Sequence, residues 1–328
     1  MKSLSKTPLD LETAQKIAHH HLGSHAQIGA FEELTDGMYN SAYLLELRDG
    51  QKKVLKIAPP DACRVLRYER NIMQAEVEVL RLVRAHTEMP VPGVLCYDTS
   101  RALIQNDYYI MEFVPGIAYH KLRPQLSPAE QGAIDRQTGI YLRQLNAIHG
   151  TGFGPFAFPG QLVPTWREAF DRLLKDILAD GQDFPVELPL PYDEIYARLA
   201  ARYSSLDEVQ IACLVHWDLW DGNIFVDPET KRITGVIDFE RALWADPLME
   251  VNFGAFGENP AFLAGYGLEM LDTPARQCRR TLYNIYLFLI MVIECYYRHY
   301  EDNGQEMWAR EQLFQQLERL EQFGGEAK

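Results

Sequence analysis

The stretch from His216 to Asn223, followed at a fixed distance by Asp238, limits what this chain can fold into more than any other feature. An apolar strand precedes the polar run H-W-D-L-W-D-G-N, and two short apolar strands separate that run from Asp238. This order predicts that Asp218, Asn223 and Asp238 lie at the ends of neighbouring strands and face one cleft. Two carboxylates and an amide placed together suit phosphoryl transfer, in which one group orients the attacking hydroxyl and two oxygen ligands hold magnesium against nucleotide phosphates.

The form H-x-D-x-x-x-x-N followed by D-F resembles the catalytic and metal-binding segments of the protein-kinase-like superfamily. The residues that fill this pattern here are more similar to those of the aminoglycoside phosphotransferases and other small-molecule kinases than to those of protein kinases. The resemblance covers the chain from Phe31 onward and implies an α+β, bilobal protein-kinase-like fold, with a small β-rich N-terminal lobe and a large, mostly helical C-terminal lobe. The positions that match are catalytic Asp218, the magnesium ligands Asn223 and Asp238, and the residues His216 and Asp246 that support the site.

The division into lobes is also visible in the composition of the chain. The first third is rich in strand patterns and contains one long helix, predicted over 67–84. A strongly apolar strand over 108–114 ends at a Pro-Gly pair, and helical patterns follow. We therefore expect a nucleotide-binding lobe over 1–114 and, over 115–328, a lobe with the catalytic loop and the substrate-binding helices. The clearest predicted helices of the second lobe lie near 127–149, 166–178, 192–203, 281–299 and 307–323.

Lys56 stands in the middle of a predicted strand between apolar neighbours. A buried cation is costly unless it is paired, and a phosphate together with a carboxylate would pair it. The resemblance makes Lys56 the lysine that binds the nucleotide phosphates and Glu76 its partner on the following helix. Glu69 and Glu78 compete for that partner role, because the sequence does not fix the phase of the helix.

Two further segments complete the predicted nucleotide site. The loop before the second strand carries Gly37 but no G-x-G-x-x-G fingerprint, and the resemblance implies that Asn40 and Ser41 assist its backbone amides in binding phosphate. An ordinary hairpin turn is the alternative for this loop. The run Y-I-M-E-F-V-P-G resembles the hinge that receives adenine through backbone groups, which would be those of Glu112 and Val114.

Composition excludes several classes of protein. The chain has 328 residues and a formal net charge of −14, which argues against non-specific nucleic-acid binding and is compatible with a cationic small substrate. An acidic balance also simply keeps a protein soluble. The five scattered cysteines predict neither a disulfide framework nor a zinc site. The apolar run 285–293 is too short to span a bilayer, and the N-terminus lacks the apolar core of a signal peptide, so we expect a cytoplasmic protein.

These patterns predict an enzyme that moves the γ-phosphoryl group of ATP or GTP to a hydroxyl of a small molecule. The resemblance implies an aminoglycoside-type or amino-sugar acceptor, and fructosamine, choline and homoserine kinases are alternatives. A non-catalytic kinase-like binding module is more distant, and so is a metal-dependent hydrolase with His216, Asp218 and Asp238 as ligands. Carboxylates proposed for the acceptor pocket are Glu294, Glu301 and Asp302. The oligomeric state is not predictable from these patterns.

Overall fold

The structure is a computed structural model, and it describes residues 6–35, 37, 39–267, 273–300 and 302–324. Five strands open the chain: β1 (Ile28–Leu34), β2 (Ser41–Leu47), β3 (Lys52–Ile57), β4 (Val94–Asp98) and β5 (Tyr108–Glu112). They form one antiparallel sheet in the order β1-β2-β3-β5-β4. Along β2, buried and half-buried side chains alternate, as expected for a strand with one face on the core. This sheet is the core of the small N-terminal lobe.

Two helices accompany the sheet, namely α1 (Leu11–Leu22) and α2 (Ile72–His86). The prediction of one continuous helix over 67–84 was wrong at its start. A single 3-10 turn covers Arg67–Glu69, and Asn71 adopts the left-handed conformation with φ 59° before α2 begins. Asparagine tolerates this conformation better than most residues. The Glu69 carboxylate accepts a hydrogen bond from the N–H of Leu66, which closes the turn on itself instead of continuing it into the helix.

The second lobe contains short strands and long helices. Its strands are β6 (Ile117–Ala118), β7 (Gly154–Pro155), β8 (Cys213–Val215), β9 (Ile224–Val226), β10 (Ile233–Val236) and β11 (Leu243–Ala245). They hydrogen-bond as two small sheets, β10-β9-β6 and β7-β11-β8. The described helices are α3 (Tyr119–Leu122), α4 (Pro128–Asn146), α5 (Trp166–Asp183), α6 (Tyr192–Ala200), α7 (Pro260–Tyr266), α8 (Pro274–Arg298) and α9 (Gly304–Leu320). The strand–loop–strand order predicted around the catalytic segment is therefore confirmed.

The exact boundary at Val114 stays a prediction. The five-stranded sheet ends at Glu112, and β6 pairs with β9 of the second lobe. Between them, Gly116 has φ 115°, and a Cβ atom there would lie 2.7 Å from the carbonyl oxygen of Val226. The turn that joins the lobes therefore requires glycine.

Helix α8 is buried on nearly all sides and forms the centre of the large lobe's core. The sequence predicted its start near 281, but the helix begins at Pro274, where Thr273 caps it. Its first turn is exposed or half-buried, and burial begins at Cys278, where the sequence still looks too polar for a core helix; Arg279 is buried there because it is paired with Asp246. Among the described residues, no helix is both long enough and apolar enough to cross a membrane.

Candidate active site

Lys56 lies on β3 and binds two carboxylates at once. Its Nζ donates to both oxygens of Glu76, at 2.8 and 3.0 Å, and to Oδ1 of Asp238 at 2.9 Å. The predicted Lys56–Glu76 pair is confirmed. The competing residues are placed elsewhere, because Glu78 is exposed and Glu69 is paired with an arginine of the large lobe. Strand β3, helix α2 and the end of β10 thus meet at one ammonium group.

Burial and pairing together set the charges of these groups. Burial acts to lower the pKa of Lys56, but Asp238 and Glu76 outweigh it and hold that pKa well above its usual value. Burial raises the pKa of Glu76. Burial also acts to raise the pKa of Asp238, but the charge and hydrogen bond of Lys56 outweigh it and lower the pKa. At neutral pH, Lys56 is therefore protonated and Asp238 is ionised.

The buried ring of His216 joins the catalytic loop to the strand that leads to Asp238. Its side chain is buried, with Nε2 3.0 Å from the carbonyl oxygen of Ile237 and Nδ1 3.2 Å from the backbone nitrogen of Asp218. Burial lowers the pKa of His216 to about 4, so the ring is neutral, donates through Nε2 and accepts through Nδ1. Both ring nitrogens are occupied by the backbone. These contacts are those of a supporting residue, and they leave no free ring nitrogen for the metal that the hydrolase alternative needs.

Asn223 fixes the position of Asp218. Its Nδ2 donates to the backbone oxygen of Asp218 at 2.8 Å, which directs the amide oxygen the other way. The N–H of Ile237 donates to the backbone oxygen of Asn223 at 3.0 Å, and this bond joins the loop to the strand that ends at Asp238. Burial raises the pKa of Asp218 to about 7, and Arg241 opposes the rise. The structure thus brings the three predicted residues into one cleft.

Glu250 is part of this arrangement, although the sequence did not single it out. Its fully buried carboxylate accepts hydrogen bonds from the N–H groups of His216, at 2.7 Å, and Trp217, at 2.9 Å. Trp217 is left-handed, with φ 65°, and its ring stacks on Tyr286 with centroids 5.3 Å apart. A strained backbone of this kind persists only where its surroundings hold it. The one signal in the sequence was a lone acid among apolar neighbours.

The loop between β1 and β2 is held by side chains that were predicted to bind phosphate. Asn40 Nδ2 donates to Glu240 at 2.8 Å, and Ser41 Oγ accepts from the N–H of Thr7 at 2.6 Å. Gly37 is exposed, and among the described residues other than its chain neighbours, no atom lies within 4 Å of the position that a Cβ would take. The side chains of Asn40 and Ser41 thus position the loop in this structure. Their contact with nucleotide stays a prediction, as does that of Gly37.

Lys6 is a second residue that sequence reasoning missed. Its Nζ donates to the backbone oxygens of Gly37 and Asn40, at 2.7 Å each. An N-terminal lysine therefore bridges the two ends of the loop. Nothing in the pattern of the sequence marked it, since its partners are backbone atoms more than thirty residues away.

In the predicted hinge, the N–H and the carboxylate of Glu112 already form hydrogen bonds within the protein. The N–H of Glu112 donates to Gly93 O at 2.9 Å, and its carboxylate accepts from Arg84, at 2.7 Å, and from the N–H of Gly93, at 2.8 Å. Val114 is buried next to this segment. Both roles in adenine binding stay predictions.

Asp246 braces the large lobe behind the catalytic segment. Its Oδ2 accepts from Nε of Arg279 at 3.0 Å and from the hydroxyl of Tyr283 at 2.8 Å, and its Oδ1 accepts from the N–H of Leu248 at 3.1 Å. Asp246 directly follows β11, which pairs with β8, the strand that leads into the catalytic loop. These bonds match the supporting role predicted for it.

The carboxylates proposed for the acceptor pocket do not form an acidic patch. Glu294 accepts a hydrogen bond from Arg241 at 3.2 Å and lies 3.9 Å from Arg298. Asp302 is exposed and accepts from a backbone N–H in its own turn, and Glu301 lies outside the described residues. The charge of Glu294 is therefore already balanced by arginines.

The oxygen groups beside Lys56 suit a hard divalent cation. Carboxylate oxygens of Glu76, Asp238 and Glu240 lie within 4.8 Å of one another. Magnesium prefers oxygen ligands and keeps several water molecules. The carboxylate of Asp238 and the amide oxygen of Asn223 supply such ligands, so these residues fit the predicted ion.

Residues 30–280, most of the chain, match the model of the phosphotransferase enzyme family. The chain belongs to this family. It is a phosphotransferase of the small-molecule kinase type, as its catalytic segment predicted. The non-catalytic alternative is therefore not supported.

Solved structures show the same fold. A predicted fructosamine-3-kinase from Haemophilus somnus superposes with a TM-score of 0.69 at 17% identity, over 93% of this chain and 97% of that one. The gentamicin complex of the phosphotransferase APH(2")-IIa superposes with a TM-score of 0.62 at 19% identity, over 94% and 97% of the two chains. These likenesses confirm the bilobal protein-kinase-like fold.

Other proteins similar to this chain are named as acyl-CoA dehydrogenases and not as kinases. Probable acyl-CoA dehydrogenase IBR3 of Arabidopsis thaliana is 28% identical over 222 residues, which are 66% of this chain and 26% of that protein. Acyl-CoA dehydrogenase family member 11 of Rattus norvegicus is 24% identical over 262 residues, 76% of this chain and 31% of that protein. The chain thus spans between about a quarter and a third of the length of these relatives.

Proposed function

We propose that this chain transfers the γ-phosphoryl group of ATP or GTP to a hydroxyl group of a small molecule, and that Asp218 orients that hydroxyl. One observation supports this most. Lys56 binds Glu76 and Asp238 on one side of the cleft, while His216 and Asn223 fix Asp218 on the other. The side with Lys56 is suited to the nucleotide, and the side with Asp218 is suited to the acceptor.

The residues then have separate tasks. Lys56 would bind the phosphates of the nucleotide, because its charge is held in place before any ligand arrives. Asp218 would accept a hydrogen bond from the acceptor hydroxyl and take up its proton late in the transfer, when the new bond has formed. Asn223 and Asp238 would hold Mg²⁺, which supplies positive charge against the phosphates when bound. Closure of the lobes about Val114 and Gly116 would exclude water.

The acceptor is the least constrained part of the proposal. An aminoglycoside or amino-sugar acceptor was predicted, and the solved relatives include a gentamicin complex and a predicted fructosamine-3-kinase. Choline and homoserine remain alternatives. A hydroxyacyl thioester is a second class, favoured by the acyl-CoA dehydrogenase names of the curated relatives.

We also propose a cytoplasmic location and dependence on magnesium. All five cysteines are free thiols, which suits a reducing compartment. Titration with EDTA and then with Mg²⁺ should abolish and restore turnover. Activity that persists in excess chelator would contradict the assignment of Asn223 and Asp238.

The test is release of ADP by the purified protein against a panel of aminoglycosides, fructosamines, choline, homoserine and a hydroxyacyl thioester. Asp218→Asn should lower turnover by about 10²- to 10⁴-fold, since it removes the group that accepts the proton. Asp221→Asn is the matched control, because Asp221 lies in the same loop but binds Arg123 at 2.7 Å. Equal losses in the two variants would show a damaged loop and not a missing catalytic group.

A further inference from the structure

Three side chains of the small lobe that have no part in the proposed mechanism could bind a metal ion together. His20 and His21 stand in the last turn of α1, and Asp98 is the last residue of β4. One ligand atom of each, a ring nitrogen or a carboxylate oxygen, lies within 4.8 Å of the other two. Helix α1 and strand β4 thus bring two imidazoles and one carboxylate to a single point.

The distances around His21 are close to those of a metal site. Its Nε2 lies 3.2 Å from Oδ2 of Asp98 and 2.9 Å from the hydroxyl of Tyr108, which donates to the same Oδ2 at 2.9 Å. Two ligand atoms bound at about 2.1 Å to one ion lie about 3.0–3.4 Å apart. An ion can therefore bind Nε2 and Oδ2 with little movement of either side chain.

The carboxylate of Asp98 is already oriented by the protein. Its side chain is 9% exposed, and its Oδ1 accepts a hydrogen bond from the N–H of Ser100 at 2.7 Å. Carboxylates that bind metal ions are commonly held by such a second hydrogen bond. Within the described residues, Asp98 forms an ion pair with His21 and with neither a lysine nor an arginine. A buried anion without a permanent cationic partner favours binding of a cation.

His20 supplies the third ligand from the solvent side. Its side chain is exposed, and its ring packs edge-on against the ring of His21, with centroids 4.6 Å apart. Consecutive residues of a helix point about 100° apart, so two histidines in sequence do not by themselves form a site. Both approach one carboxylate here because Asp98 lies beside the last turn of α1. An exposed ring can rotate through the remaining distance at little cost.

We propose that His20, His21 and Asp98 bind a divalent transition-metal ion such as Zn²⁺. Two imidazoles and one carboxylate suit such ions, whereas Mg²⁺ prefers oxygen ligands alone. Water completes the coordination on the exposed side. The ion joins α1 to β4 and stabilises the small lobe, since α1 packs on the five-stranded sheet. This site is separate from the magnesium site proposed at Asn223 and Asp238.

The test is calorimetric titration of the full chain with Zn²⁺. The chain is purified without a polyhistidine tag and treated with a chelator, and an excess of Mg²⁺ competes for the catalytic carboxylates. We expect Zn²⁺ to bind the wild type at this site and to raise the midpoint of its thermal unfolding, because the ion binds the folded chain only.

His20→Ala is the decisive variant, because this side chain is exposed and its loss leaves the fold intact. It should weaken Zn²⁺ binding by about 10- to 10²-fold. Asp98→Asn keeps the shape of the side chain and should weaken binding at least as much. His19→Ala is the matched control and should bind as the wild type does. His19 stands in the same turn of α1, but its Nε2 lies 2.8 Å from Nε2 of Gln27.

Bound Co²⁺ reports the ligands directly, because its visible absorption changes with its coordination. His20→Ala should alter the spectrum of the wild type, and His19→Ala should leave it unchanged. If the wild type binds Zn²⁺ no more tightly than His20→Ala does, or if His19→Ala weakens binding equally, the proposal is overturned. His21, Asp98 and Tyr108 would then serve only as a hydrogen-bonded contact between α1 and the sheet.

Discussion

The two ends of the cleft use charge in opposite ways. The nucleotide end, where the proposed function places ATP or GTP, holds one ammonium group beside two buried carboxylates and a half-buried one: Lys56 with Glu76, Glu240 and Asp238. The acceptor end, named here for the acceptor pocket predicted around Glu294, pairs two arginines with two acids: Arg241, Arg298, Glu69 and Glu294. The first end has three carboxyl groups to one cation, which suits a divalent cation, although burial raises the pKa of Glu240 well above its usual value and so lowers the negative charge there. The second end is balanced, and its charges hold segments of both lobes together.

The largest effect that would test this contrast is on stability. Arg298 is buried and forms an ion pair with Glu69, which joins α8 to the turn before α2. Arg298→Met should lower the free energy of unfolding by about 3–5 kcal/mol, because Glu69 is left as an unpaired buried charge. The double variant Glu69→Leu with Arg298→Met should recover much of this loss. Urea denaturation measures both, and a loss below about 1 kcal/mol for the single variant would contradict a holding role for this end.

At the nucleotide end the expected loss is in activity. Lys56→Met removes a cation held against the phosphates and should lower kcat/KM by about 10²- to 10³-fold. Lys56→Met should also lower the free energy of unfolding, because Glu76 is left buried without its partner, whereas Asp238 is half-buried and can be hydrated. Lys53→Met is the control, since Lys53 is a neighbour on the same strand and is not part of the cluster. A similar loss of kcat/KM in the control would show that the two ends do not differ as described.

The sequence revealed the catalytic segment because its residues follow a local pattern. Asp218, Asn223 and Asp238 fall within a span shorter than thirty residues, and the strand spacing alone predicts that they converge. The acceptor end could not be predicted in this way. Glu69 and Arg298 are separated by 229 residues and meet only after α8 has packed in the core. No periodicity links such positions, and each looks like an ordinary surface charge.

The fold was predictable to a similar degree. The order of lobes and of most elements followed from periodicity, whereas the start of α2 and that of α8 did not. In both cases a charged residue is buried because of a distant partner: Glu69 closes a turn, and Arg279 is buried against Asp246. Local propensity does not contain that information.

A smaller effect is expected from the pH dependence of kcat/KM, which Asp218, between the two ends, should determine. Burial raises the pKa of Asp218 to about 7, and only the ionised form can accept the proton of the acceptor. We expect kcat/KM to fall about tenfold for each pH unit below 7 and to level off above it. Arg241→Met should move the midpoint to higher pH, because Arg241 opposes the rise.

The same group affects stability with the opposite sign. A carboxyl whose pKa is higher in the folded chain binds more protons there than in the unfolded chain. The free energy of unfolding should therefore fall as pH rises from the unfolded value of this group, near 4, to about 7. Asp218→Asn should remove this part of the slope. A kcat/KM profile with a midpoint near 4 would contradict the buried environment of Asp218.

The smallest effect is expected at the hinge. Arg84 and Glu112 are 2.7 Å apart, but both side chains are about half exposed, at 53% and 43%. Exposed ion pairs contribute about 0–1 kcal/mol, so Arg84→Met should change the free energy of unfolding by less than that. Thermal unfolding in low and high salt would check it. A loss comparable to that of Arg298→Met would show that charge pairs stabilise the hinge as strongly as the acceptor end.

Tyr39 links the loop between β1 and β2 to the acceptor end. Its hydroxyl donates to the backbone oxygen of Glu69 at 3.0 Å, and the guanidinium of Arg298 lies 5.1 Å from its ring centroid. One side chain therefore joins the loop before β2 to the Glu69–Arg298 pair, and we expect the two ends of the cleft to open together. Departure of the products, and not the transfer itself, is the step in which we expect this chain to spend most of each catalytic cycle.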